Sequence, residues 1–190
     1  MVYESLIVVL EENIEALAEM WAAEVKASEY MHTYHKLSLE KLEQRGKILF
    51  ENLYKWLRTG AYNEEVETYF HEIGKTRINE GFPLSEIEHA LYLEKKTMWS
   101  FVIWKEEILY DLAREEMIEV MSIINNYFDL GSFYVIRGYM GEMFKHLKET
   151  GKFTDEELQK IISGFAMKNE KERKTDKTLY SEGLRKGLIK

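Results

Sequence analysis

A single proline, Pro83, in a chain of 190 residues leaves almost nothing to stop a helix. The acidic residues say the same, with 30 Glu against 4 Asp, because Glu tolerates a helix interior while Asp and Pro do not. The fold is therefore expected to be all-α. At 45% hydrophobic and 13% aromatic residues, the chain can bury one substantial core, while two full domains would be cramped. The organisation read from the sequence is a domain over 1-150 and a C-terminal helix with a charged tail over 151-190.

Composition removes several function classes. Without cysteine there is no disulfide framework, thiolate zinc site, iron–sulfur cluster or cysteine nucleophile. The apolar run Leu6 to Leu10 is too short for a signal-peptide core or a membrane span, so a cytoplasmic location is expected. A net charge of −8 disfavours nucleic acid as a partner, since phosphate binding needs a basic face. The charge is uneven, at +4 from Lys168 to Lys190 and −12 before it. A solvated tail accounts for this more simply than an arm that docks on an acidic partner.

Periodicity divides the chain into about six helices. The first is expected from Tyr3 to Met31, with Leu6, Leu10, Ile14, Leu17, Trp21 and Val25 on one stripe. Ser38 caps a second that ends at Thr59-Gly60, and Asn63 caps a third carrying Val66, Phe70, Ile73 and Ile78. A tight corner follows. Gly81 suits the left-handed position past a helix end, Phe82 supplies an apolar clamp, and Pro83 fits the first turn of the next helix. That fourth helix has Leu84, Ile87, Leu91, Met98, Phe101 and Val102 on one face and Tyr92, Leu93, Trp99 and Ile103 on another, which marks it as central.

The pattern hardly breaks between Asp111 and Thr150. Met117, Met121, Ile124, Phe128, Gly131, Val135 and Gly138 alternate spacings of four and three, a heptad seam. Gly131, Gly138 and Gly141 weaken a helix, and glycines so placed admit a neighbouring backbone, from the same chain or a second subunit, unless the helix kinks there. Phe128, Gly131, Val135 and Gly138 are the candidate helix-interface residues. Gly151 ends the element, and Thr154 to Glu157 form a capping box for a last helix with Leu158, Ile161, Ile162, Phe165 and Met167.

Candidate chemistry is sparse. Glu-x-x-His occurs at Glu29/His32 and Glu86/His89, the spacing of carboxylate di-metal bundles, yet about 0.8 such pairs arise by chance at this Glu content. No metal site is assigned. His71-Glu-Ile-Gly-Lys75 approximates a histidine phosphotransfer segment, but the glycine and lysine are in reversed order. His71 and His89, on adjacent helices with Trp99 nearby, are possible haem or ligand contacts. Haem remains the minority expectation, because the aromatics serve a solid core equally well. No nucleophile motif, P-loop or dinucleotide fingerprint occurs, so no catalytic residue is assigned and an enzyme is not expected.

Tyr69-Phe70, Gly74, Arg77 and Gly81-Phe82-Pro83-Leu84-Ser85-Glu86, together with Trp21 and Trp99, resemble the amino-terminal sensory domain of RsbR-type RsbT co-antagonists of the stressosome and of related bacterial sensor histidine kinases. The likeness runs from about Glu11 to Glu149. It implies a globin-like helical bundle that generally lacks haem, forms a homodimer through its helices, and passes a signal along a long C-terminal helix to an output domain. It brings no catalytic residue and no known ligand. The residues expected to matter are therefore Gly74, Gly81, Phe82 and Pro83 for the corner, and His71, Arg77, His89 and Trp99 for an unknown small ligand. Arg77 has Glu80, Glu86 or a bound anion as possible partners.

Overall fold

A computed structural model describes residues 4–59, 63–104, 114–151, 153–158 and 160. The described residues form the expected all-α, globin-like bundle. Its helices are α1 (Glu4–Ala27), a 3-10 turn (Tyr34–Lys36), α2 (Leu39–Arg58), α3 (Asn63–Asn79), α4 (Leu84–Trp104) and α5 (Arg114–Glu149). Two compact units emerge, Met1–Glu142 and Met143–Lys190. Tyr3, Gly60, the start of the long helix at 111–113, and Ile161 onward, with the basic tail, lie outside the described residues.

The first unit is built on a single apolar core. Leu10, Leu17, Trp21 and Val25 of α1 meet Leu42, Phe50, Leu53 and Trp56 of α2, Phe70 of α3, Ile87 and Met98 of α4, and Ile124 and Tyr127 of α5. α1 is shorter than its apolar period predicts and bends at Asn13, whose φ of −127° is not helical. The Asn13 side chain donates to the Val9 carbonyl at 2.8 Å, a local bond that competes with the helical ladder.

The helix stops at Ala27 because groups from elsewhere take over the backbone beyond it. The Glu86 carboxylate of α4 accepts from the Thr33 and Tyr34 amides at 2.8 and 3.3 Å and from the Thr33 hydroxyl at 3.0 Å. Lys26 Nζ donates to the carbonyls of His35 and Leu37. Such tertiary contacts override helix propensity.

The corner after α3 follows the sequence closely. Gly81 has a φ of +81°; its amide donates to the Ile78 carbonyl at 3.0 Å, and the Phe82 amide to the Arg77 carbonyl at 2.9 Å. These are the paired bonds of a Schellman motif. Pro83 stands one position earlier than expected. Its carbonyl accepts from Glu86 and Ile87, so it is the cap of α4, and the first helical residue is Leu84.

Gly74, Gly131 and Gly138 are all close-approach sites within one chain. A methyl group on Gly74 would overlap the Val135 carbonyl, one on Gly138 would overlap the His71 carbonyl, and one on Gly131 would lie 2.7 Å from the Phe70 ring. Val135 is fully buried and Phe128 nearly so. From Gly131 to Gly138 the heptad seam is thus occupied by α3 of the same chain, whereas Met121, nearer the start of α5, is exposed. Gly141 faces open space.

In the second unit, Gly151 takes a φ of +63° just past the helix end. The capping box is formed, with the Glu157 amide donating to Thr154 Oγ1 at 3.2 Å and the Thr154 amide to Glu157 Oε2 at 2.8 Å. Among the described residues no helix is long and apolar enough to cross a membrane.

The glycine contacts make opposite predictions along one helix. Gly138→Ala should destabilise the protein by about 1–3 kcal/mol, the usual cost of overpacking, because backbone must move to make room. Gly141→Ala should stabilise it by up to about 1 kcal/mol through helix propensity. Urea titrations of the two variants beside the parent check both signs.

Candidate functional site

The interior of the first unit holds one unusual group. Glu94, in the middle of α4, occupies the register Ile87, Leu91, Glu94, Met98, Phe101, an apolar stripe on a 4-3-4-3 spacing. It is 5% exposed, and its Oε2 has no hydrogen-bond partner among the described residues. Burial pushes its carboxyl well above the usual range, opposed by the positive charge of Arg77. Desolvation dominates that balance, because burial disfavours the charged form.

The carboxyl group borders a cavity of about 30 Å³. Four helices and the 3-10 turn contribute to its wall: Trp21, Tyr34, Arg45, Leu49, Tyr69, Ile73, Arg77, Ile87, Ala90 and Leu91 surround the space with Glu94. A water needs roughly 10–15 Å³ of such volume and two to four polar partners, so this chamber has room for water and not for a cofactor. Burial also raises the Tyr34 hydroxyl to about 12 and pushes the Tyr69 and Tyr127 hydroxyls up, with Glu94 adding to both. Trp21 Nε1 donates to the Ala90 carbonyl at 3.2 Å, which fixes the indole against α4.

Arg77 and Arg45 form the outer wall of this chamber. Both converge on Glu80: Arg45 Nη2 donates to Oε1 and Oε2 at 3.0 and 2.8 Å, and Arg77 Nη1 to Oε2 at 2.9 Å. Their side chains are only 19% and 15% exposed, so these pairs are better shielded than ordinary surface pairs. The two guanidiniums also lie 5.1 and 5.9 Å from the centre of the Phe82 ring, against which the Tyr34 ring packs edge-on at 4.6 Å. Arg45 is pushed below its usual value, by burial first and by Arg77 second.

Of the four ligand candidates read from the sequence, only Arg77 reaches this chamber. Its carboxylate partner is Glu80, since Glu86 is committed to Thr33 and Tyr34. His71 is half-exposed on α3, 3.8 Å from Glu72. His89 bonds to Ser28 Oγ at 3.0 Å and packs against the rings of Tyr30 and Tyr92, each with a 5.6 Å centroid separation. Trp99 packs against the core, partly buried. No group of three or more His, Asp or Glu suited to a metal ion occurs among the described residues.

Glu94, Arg45 and Tyr34 escaped the sequence reading, whereas Glu80 was among the expected partners of Arg77 and Tyr69 among the residues of the family resemblance. Glu94 did leave a signal, as a glutamate in a stripe otherwise apolar. The pairing of Arg45 with Glu80 left none, because residues 35 apart on amphipathic helices carry no local mark of it.

Comparison with known families decides the identity of the fold. Residues 15–148 match the RsbT co-antagonist protein rsbRD N-terminal domain. The chain belongs to that family. The rsbRD N-terminal family is one of signal-transduction sensory domains of the stressosome type. The matched span takes in the corner, both arginines, Glu94 and nearly all of α5. No curated protein and no solved structure matches the chain.

Glu94 makes stability depend on pH with a definite sign. A carboxyl raised in the folded state holds its proton when the unfolded chain, near pH 4.5, has released it. The stability it lends is full below that pH and is lost as pH rises toward the folded value. Glu94→Gln should remove this dependence. The difference in melting temperature, variant minus parent, should therefore grow as pH rises above the ordinary carboxyl value of 4.5, as thermal unfolding in matched buffers would show.

Proposed function

We propose that this chain is a bacterial, cytoplasmic sensory input domain that works without catalysis and without haem. It relays a signal as a homodimer through α5 to an output module or a downstream protein of the RsbT kind. The observation that carries the reading is the family match across residues 15–148, which spans the sensory core and the long helix. Signalling in such a domain is a shift between two helix packings, biased by a small ligand or a partner.

Support for a dimer comes from the outward side of α5. Ile118, Met121, Phe133 and Ile136 are exposed apolar residues on a common side of the helix, about a third of a turn around from the buried seam. An open hollow borders Ile118, Met121 and Asn125 on the same side. Exposed apolar stripes of this kind mark interaction surfaces. The heptad glycines serve intrachain packing, and this second stripe is available to a partner subunit.

The alternative is a haem- or metal-dependent sensor. Haem would need an apolar space of several hundred cubic ångströms beside an imidazole. His71 and His89 instead engage separate surroundings, and the enclosed chamber is bordered by neither. The histidines therefore favour the haem-free reading. Phosphotransfer at His71 has less support still, because Gly74 is spent on packing against α5.

The parent chain should be dimeric by size-exclusion chromatography with light scattering, and Phe133→Glu with Ile136→Glu should make it monomeric without loss of helix content. A strictly monomeric parent at tens of micromolar overturns the dimer relay. Addition of haemin should give no stoichiometric Soret band; a band lost in His71→Ala or His89→Ala would establish the alternative.

A further inference from the structure

The outer side of the arginine wall is also a cavity. Leu37, Lys41, Ile48 and Phe82 line an open groove of about 610 Å³, with Arg45 and Arg77 on its inner wall. That is within the usual size of small-molecule sites, which are largely apolar with a few fixed polar groups. Glu80 occupies the polar end of the groove. One carboxylate there serves two guanidiniums, and Arg45 Nη1 is buried with no hydrogen-bond partner among the described residues. Glu80 itself is 36% exposed and stands in the turn immediately before Gly81, from which its side chain can swing toward solvent.

We propose that this groove binds a small organic carboxylate with an apolar body, which takes the place of the Glu80 carboxylate on Arg45 and Arg77. The seat is already shaped for that group, because it holds a carboxylate through three hydrogen bonds of 2.8–3.0 Å. Paired guanidiniums are well suited to planar, charge-assisted recognition of carboxylates. Lys41 adds positive charge at the rim. Leu37, Ile48 and Phe82 supply the apolar contact that a bare anion would not use.

Displacement has a structural consequence. Glu80 is one residue from the Schellman turn, and Arg45 and Arg77 are also the outer wall of the Glu94 chamber. Occupancy of the groove therefore acts on the α3–α4 corner and, through Arg77, on a charge that opposes the shift of the buried carboxyl. The inference relies on the sensory reading only in treating the bound acid as a signal; binding itself stands apart from dimerisation.

Isothermal titration of the full chain with sodium hexanoate, acetate and inorganic phosphate at matched ionic strength tests the site. Hexanoate should bind saturably, and acetate and phosphate at least about tenfold more weakly. Glu80→Gln, which removes the internal competitor, should bind hexanoate at least about tenfold more tightly, equivalent to about 1.4 kcal/mol. Arg77→Gln in the Glu80→Gln background should lose that gain. Because loss of an arginine can also unfold the wall, the exposed Lys41→Glu provides an independent arm, in which hexanoate binding weakens at unchanged melting temperature. No saturable hexanoate binding to the Glu80→Gln protein overturns the proposal, as does phosphate binding as tight as hexanoate or indifference to Lys41→Glu. Those failures leave the dimer relay standing, whereas a monomeric chain that still binds hexanoate overturns the relay alone.

Discussion

The left-handed turn at Gly81 is the constraint from which the arrangement of the first unit follows. It reverses the chain within two residues, so the last turn of α3 and the first turn of α4 lie at one place. Arg77 and Glu80 come from one side of that turn, Glu86 from the other, and Phe82 from its centre. Glu86 then holds the amides of Thr33 and Tyr34, which ends the path of α1 and starts that of α2. Phe82 is clasped by Tyr34, Arg45 and Arg77, and its carbonyl accepts from the Tyr139 hydroxyl at 3.2 Å. One residue with positive φ thus ties five helical elements together.

Against this well-satisfied corner, Glu94 is a cost. A carboxyl group with a buried oxygen that has no hydrogen-bond partner among the described residues is disfavoured in its charged form by several kcal/mol, and an apolar residue of the same size in that register would be easier to accommodate. Its retention is consistent with a domain whose packing is poised and not maximally stable, as signal-responsive elements are. Arg45 and Arg77 sit between this internal liability and the surface groove.

Much of the fold was legible because it rests on local rules. Helix type, the Gly81 turn, the cap at Ser38 and the box at Thr154 depend on neighbours within a few residues, and each is found where its motif predicts. Family resemblance was legible for the same reason, through the corner. What could not be read was which helix meets which. Gly131 and Gly138 announced a close approach, yet the neighbour turned out to be α3, whose Gly74 makes the reciprocal contact. The candidate histidines drew attention by residue type, whereas the chamber is made by an acid, two arginines and two tyrosines from distant segments. Such a site exists only after the helices are packed.

The paired glycine contacts between α3 and α5 carry a mechanical consequence. Most helix pairs are separated by a layer of side chains that can change rotamer and absorb a small displacement. Here the Val135 carbonyl rests over Gly74 and the His71 carbonyl over Gly138, so no such cushion exists at the crossing. The two helices are locked against sliding like meshed teeth. A tug on the Arg77 end of α3 arrives at α5 undamped, as movement of the backbone itself.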